Sequence, residues 1–515
     1  MSITFRTERA TGVVERSADS ARQFDAVAVA VLAVIVSAAG AARPSLWFDE
    51  AATISASTRT VPELWRMLGN IDAVHGLYYL VMHGWFAVFP ATEFWSRLSS
   101  SLTVGAAAAG VVVLGRQLST RSVAVAAGVV FALLPRVTWA GIETRSYALS
   151  MVLGVWLTVV CVSAVRRQRL WWWVGYAALL VTGTVLNVFV VLIVGVHVVL
   201  VAALTDSTRV RVSWAVATAA AVAAVIPFLL FAQTQLFQVG WISPLGLQTV
   251  GEILQEQYFD RSLPVTVLAG LLLASGLLYR SRAAVVAGPD PGRLVTITGA
   301  WILLPTLALI VYSAVHHPIY YPRYLSFTAP AIALLLGLCV AAVGRSRPGI
   351  AALLVVFAFA ATPNYLAQRG PYAKESMDYS QVADVITRYA KPGDCLVMDN
   401  STAWKPGPIR PLIAARPTAF AKLHDYGRGL SAIQRNRLWD AHIAVWAWAD
   451  KMPGCPVIWT VSERDTTLPD HQQGPGTPVG PRLARTMAYQ VPSRFGFRVV
   501  ERWQFSFAQV TKSVR

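Results

Sequence analysis

His75-Gly76-Leu77-Tyr78-Tyr79-Leu80-Val81-Met82-His83-Gly84-Trp85-Phe86-Ala87-Val88-Phe89-Pro90 is the stretch on which the fold turns. It is apolar enough to suggest a membrane crossing, yet a transmembrane helix needs about 20 residues and this run is shorter. His75, His83, Tyr78, Tyr79 and Trp85 give it the composition of a membrane–water interface. Reading it as a span would put every later arginine cluster, from Arg116/Arg121 to Arg345/Arg347, outside the cell. Reading it as juxtamembrane puts them all inside, as the positive-inside rule requires. Residues 42–95 are therefore expected to form one long outer loop with juxtamembrane helices near 61–69 and 76–89.

Working outward, the first span is expected at 24–41, after a polar segment carrying Arg6, Arg9, Arg16 and Arg22. That charge places the N-terminus in the cytoplasm, and the long apolar run without a cleavage site does not read as a signal peptide. Further apolar runs at 96–115, 122–139, 147–165, 171–186, 188–204, 213–232, 263–279, 294–315, 324–343 and 349–366 bring the expected crossings to eleven. Alternation then also puts Arg166/Arg167/Arg169, Arg209/Arg211 and Arg280/Arg282/Arg293 inside. Composition agrees: of 515 residues 55% are hydrophobic and 14% charged, and the mean hydropathy is +0.51. Soluble chains rarely read this way. The net charge of +17 sits mostly in short links between apolar runs, which excludes a nucleic-acid-binding face.

The polytopic helical module thus covers residues 1–366, and 367–515 is expected to be a small extracytoplasmic α/β domain. Residues 379–390 have amphipathic helical spacing, and 395–398, 457–461 and 497–507 read as strands, with a mobile loop at 463–482. Cys161 and Cys339 lie in apolar runs as small core residues. Cys395 and Cys455 either pair, if that domain is outside the cytoplasm, or stay free thiols.

With this topology the polar oddities gather on the outer side. Asp49-Glu50 follow Trp47-Phe48 at the end of span one, and Glu143-Thr-Arg145-Ser-Tyr147 precedes span four. His316-His317-Pro-Ile-Tyr320-Tyr321-Pro-Arg323-Tyr324 precedes span ten, and Arg97 lies at the mouth of span two. Acids facing fixed cations at membrane level suit sugar transfer from a lipid phosphate. A carboxylate takes the proton of the attacking hydroxyl. Guanidinium groups hold the phosphate as charge grows on it. Structural readings compete: Glu143 as an ion pair with Arg145, the arginines as headgroup anchors, His75 as an interface histidine. Adjacent histidines point apart, so His316-His317 implies no metal.

The order Trp-Phe-Asp49-Glu50-Ala, His75-Gly76-Leu77-Tyr78-Tyr79, Glu143-x-Arg145-x-Tyr147 and Arg323-Tyr324-Leu325 before Pro330-Ala331 resembles membrane glycosyltransferases of the GT-C fold. The bacterial relatives of protein O-mannosyltransferases and aminoarabinose transferases are most similar. Gly76 stands where those proteins carry prolines, and the likeness covers residues 24–345. The resemblance implies a polyprenyl-phosphate-linked sugar donor, no cofactor or metal, and Asp49 as the base with Glu50 assisting. It implies Glu143 as a second functional acid and Arg145, Arg323, His75, Tyr324 and Arg97 on the donor phosphate. Tyr78, Tyr79 and Tyr147 would contact acceptor or sugar. The acceptor is a glycan, lipid or protein, with membrane lipids as partners and no nucleic acid. The Lys-poor, Arg-, Ala- and Val-heavy composition points by association to a GC-rich bacterial genome, and so to mannose or a pentose such as arabinose. A non-catalytic polyprenyl-glycolipid transporter or flippase is the alternative; it would place ionisable residues at mid-membrane, where these apolar runs have almost none.

Overall fold

The computed structural model describes residues 23–278, 291–400 and 410–515; Arg6, Arg9, Arg16, Arg22, Arg280 and Arg282 lie outside them. The chain divides into two compact units, one made of Met1–Ala41 with Arg97–Ala367, the other of Ala42–Ser96 with Gln368–Arg515. Residues 42–96 thus share a unit with the C-terminal segment, a division other than the expected one at residue 366.

The first unit is helical. Glu93–Leu118, Tyr147–Arg167, Thr208–Gln233, Gly292–Val315, Pro322–Gly344 and Arg347–Ala367 are long and apolar enough to cross a membrane. Five shorter apolar helices, Gln23–Ala38, Arg121–Leu133, Leu170–Leu186, Val188–Leu204 and Leu263–Leu278, fall on the other expected runs. Pro322–Gly344 is the central helix, with 83% of its apolar window buried, against 11% for Arg347–Ala367 and 17% for Thr208–Gln233. Small residues let the centre close: a Cβ on Gly337 would lie 2.5 Å from the Ala127 backbone. Asp25 is paired with Arg116 and, at 2.7 Å, with Arg121, which ties the ends of three helices together.

The expected single run at 122–139 is broken. Helix Arg121–Leu133 stops, Leu134 turns extended (φ −60°, ψ 128°), and Pro135–Ala140 restarts as a separate helix. The cause is local: the residue before a proline is driven out of the helical region, and proline is well placed only in a first turn. The run at 324–343 is likewise divided, Pro322–Thr328 being 3-10 before the α-helix Ala329–Gly344.

The second unit contains short helices at Val61–Leu68 and Gly76–Phe86, where the two short outer-loop helices were expected, preceded by Phe48–Ser57. Its five-stranded sheet has the order β1-β2-β5-β4-β3, with β1 Cys395–Met398, β2 Ile458–Glu463, β3 His471–Gln473, β4 Arg498–Gln504 and β5 Ala508–Val514. β1 and β2 are parallel and the other pairs antiparallel. Side chains alternate across β1: Leu396 and Met398 join a core with Val382, Ile386 and Trp459, while Cys395 and Val397 face a second one with Met452 and Phe497. Leu46, Trp47, Ala51 and Ile54 belong to the first of these cores. Residues 505–507, expected as strand, form the β4–β5 turn instead, closed by Phe505 N–H donating to Ala508 O at 2.9 Å.

The segment 463–482 is not a plain loop either. It supplies β3, and buried Asp465 accepts N–H bonds from Thr467 at 3.1 Å and Arg482 at 2.9 Å. Cys395 and Cys455 are joined as a disulfide with Cα atoms 5.7 Å apart and a sequence separation of 60. Loop-closure entropy for such a link is roughly 4 kcal/mol. Cys395→Ser should therefore lower the unfolding free energy of this unit by a few kcal/mol; denaturant unfolding with and without reductant measures it.

A carboxylate adds a pH term. Buried Asp378 stands before helix Tyr379–Tyr389, and its Oδ2 accepts N–H bonds from Phe507 and Ala508, both at 2.7 Å. Burial pushes its pKa from 3.8 up to about 6, against the pull of those two N–H groups. The folded state then holds the proton more tightly than the unfolded chain does. This group's stabilisation is full below the unfolded value and lost as pH rises through the folded one. Asp378→Asn should flatten the dependence of the melting temperature between about pH 4 and about pH 7; an unchanged slope would refute the assignment.

Candidate active site

In the second unit, Asp49 and Glu50 occupy the first turn of helix Phe48–Ser57. The residue before it, Trp47, is extended (φ −138°, ψ −179°), and no side chain caps the helix there. Two acids therefore meet the positive end of the peptide dipoles. Successive helical residues project about 100° apart, so the two carboxyls have different surroundings. Glu50 is fully buried, whereas Asp49 is half-buried. Arg59 lies two residues beyond the end of the same helix: its Nε donates to Ser55 O at 3.0 Å and its Nη2 to Arg437 O at 2.5 Å.

His75 closes a 3-10 turn, and its ring lies 5.9 Å from that of Tyr79. Tyr79 donates its hydroxyl to Asp72 Oδ2 at 2.6 Å, and both Tyr78 and Tyr79 are buried. His83 bonds Ser57 O at 3.0 Å, pinning helix Gly76–Phe86 to the end of the acid-bearing helix. The glycine at 76 has a packing role, since a Cβ there would come within 2.8 Å of Leu68.

In the first unit, buried Glu143 lies in the link before helix Tyr147–Arg167, and Ser100 donates to its backbone oxygen at 2.6 Å. Ser101 grips Gly141 O at 2.8 Å, and buried Arg97 donates to Ala41 O at 2.8 Å. Arg145, Tyr147 and Arg323 are all buried. The Arg323 guanidinium is surrounded by rings, 4.7 Å from Tyr321, 5.9 Å from Tyr147 and 6.0 Å from Trp139. Tyr324 stacks on Phe189 at 5.4 Å and offers its carbonyl to Asn187 at 3.3 Å. The Glu-x-Arg-x-Tyr and Arg-Tyr-Leu motifs, far apart in sequence, therefore meet through Tyr147 and Arg323.

Two neighbours of Arg323, Arg136 and Trp139, escaped the sequence reading. Arg136 lies 5.1 Å over the Trp139 ring, on which Arg323 also closes, and pairs with Asp260 at 3.1 Å. Trp139 and Tyr321 complete the cage. The available signal was Pro135-Arg136, a breaker and a cation inside an apolar run. Rings around a desolvated guanidinium return roughly 0.5–2 kcal/mol each and hold its plane. Among the described residues no group of three or more His, Cys, Asp or Glu is arranged to hold a metal ion.

No protein-family model matches the chain, and neither does any curated protein. Solved structures do. ArnT from Cupriavidus metallidurans in the apo state superposes with a TM-score of 0.58 at 14% identity, covering 98% of each chain. The same protein bound to undecaprenyl phosphate gives 0.55 at 13% identity, over 95% of this chain and 97% of that one. The Archaeoglobus fulgidus oligosaccharyltransferase in its apo form reaches only 0.46 at 12% identity over 69% of its length, too weak to bear on the fold. Over nearly its whole length the chain has the fold of ArnT, the GT-C membrane glycosyltransferase fold that its motif order resembles.

Proposed function

We propose that this protein transfers a sugar, mannose or a pentose such as arabinose, from a polyprenyl phosphate to an acceptor hydroxyl on the outer face of the membrane. The observation that carries the reading is the buried pair Arg145 and Arg323, on two motifs joined through Tyr147, in a fold shared with a protein solved with undecaprenyl phosphate. Asp49, more open than Glu50, is the base. The acceptor oxygen attacks the anomeric carbon, the bond from that carbon to the phosphate oxygen breaks, and the hydroxyl proton passes to Asp49. Polyprenyl phosphate leaves, its charge held by Arg145 and Arg323. A phosphate leaves without protonation, so one carboxylate suffices, and a single displacement inverts the anomeric centre. Glu50 and Glu143 shape the polar surroundings, His75, Arg97 and Tyr324 assist at the donor, and Tyr78, Tyr79 and Tyr147 border sugar or acceptor. No metal is required.

The same reading takes eleven crossings, a cytoplasmic N-terminus and an extracytoplasmic C-terminal segment. The Cys395–Cys455 disulfide favours an oxidising compartment for that segment. Mass analysis of products formed by purified protein from a panel of polyprenyl-phosphate sugars tests the proposal. A new glycoside with free polyprenyl phosphate is expected. Movement of intact glycolipid across vesicles without bond cleavage would instead establish a transporter.

A further inference from the structure

The acid-bearing helix Phe48–Ser57 is held at both ends by residues of the C-terminal segment. Before its first turn, Ser45 N–H donates to Pro371 O at 2.8 Å and Leu46 N–H to Ser380 Oγ at 3.0 Å. The Ser380 hydroxyl donates a hydrogen bond to Glu93 Oε1 at 2.5 Å, and Arg416 holds that carboxylate at 2.6 Å while reaching Asp384 at 2.9 Å. At the other end Ser55 Oγ donates to Leu438 O at 2.7 Å, next to the Arg59 bond to Arg437 O at 2.5 Å. Between these anchors the ring of Phe48, adjacent to Asp49, lies 5.1 Å from Trp439. Few of these groups are replaceable by water. Ser380 and Arg59 are buried, so each hydrogen bond removed there leaves a desolvated partner.

We infer that the C-terminal segment is part of the catalytic apparatus, with Arg59 and Ser380 as positioning residues that fix the helix carrying Asp49. The inference rests on the reading of Asp49 as base. It assigns residues 368–515 a task that neither a separate accessory domain nor a mere tether would have. Proton transfer is sensitive to placement, and a shift of about 1 Å costs about a hundredfold in rate.

The test uses the full-length protein in lipid nanodiscs, with whichever of polyprenyl-phosphate mannose and polyprenyl-phosphate arabinose it turns over. Arg59→Ala should lower kcat by about tenfold to a hundredfold with the donor KM unchanged. Amide hydrogen exchange should rise across residues 48–57 in the same variant. Arg59→Lys should recover part of the rate, because an ammonium reaches one carbonyl where the guanidinium spans two. Should Arg59→Ala fail to fold, Ser380→Ala, which deletes a single hydroxyl, takes its place with the same expectation. Full kcat in a folded Arg59→Ala or Ser380→Ala protein overturns the inference, as does a loss confined to KM. An inactive Asp49→Asn beside a fully active Arg59→Ala removes the positioning role alone. A fully active Asp49→Asn removes the base itself.

Discussion

Asp49→Asn is expected to reduce turnover by about a hundredfold to ten-thousandfold while leaving the melting temperature and donor affinity near those of the parent protein. A positioned general base contributes about 10²–10⁴ in rate, and the amide cannot accept the acceptor's proton. The substitution is close to isosteric. It stands in the first turn of Phe48–Ser57, where asparagine is tolerated and where the neighbouring Glu50 keeps an acid at the helix N-terminus. Asp49 is also the half-open member of the pair, so its neutral variant leaves the buried Glu50 and the Leu46–Ile54 packing in place. Steady-state kinetics with a polyprenyl-phosphate sugar, paired with donor-binding calorimetry, separates the two effects. Normal turnover would eliminate Asp49 as the base.

The fold was more legible than the site. Apolar runs are long and strongly marked, so the apolar helices, and the two short helices at Val61–Leu68 and Gly76–Phe86, follow from pattern alone. Boundaries failed where one residue overrides a run, as at Leu134-Pro135, or where apolar residues sit in a turn, as Phe505 and Phe507 do. The grouping of residues 42–96 with 368–515 was not legible, because it depends on contacts such as Leu46 N–H to Ser380 Oγ across 334 positions. No local periodicity records such a contact. Charged residues next to aromatics, as in Trp47-Phe48-Asp49-Glu50, stand out in sequence. Arg136 did not, since it lies in an apolar run, and its partners Trp139 and Asp260 are known only once the chain has folded. The bond from Arg59 to Arg437 O, 378 residues on, gives that cation a use that composition could not suggest.

Arg323→Ala should weaken donor binding by about tenfold to a hundredfold, corresponding to the roughly 1.5–3 kcal/mol of a hydrogen bond to a charged partner. The guanidinium is held by Tyr321, Tyr147 and Trp139 rings. Those rings fix the plane of the guanidinium, and a fixed plane is what a planar, two-point hold on phosphate needs. Arg323→Lys keeps the charge but loses both the fork and the ring stacking, so its donor affinity should fall between those of the parent and the alanine variant. Arg145→Ala should act in the same direction, because Arg145 belongs to the link that Tyr147 closes. Loss of binding, not of chemistry, should dominate: the donor KM rises while a saturating donor restores most of kcat. Calorimetric titration with polyprenyl phosphate alone isolates the phosphate contact from any sugar contact. Undiminished affinity in both alanine variants, each confirmed folded by its melting temperature, would remove these arginines from the phosphate and with them the main support for a lipid-phosphate donor.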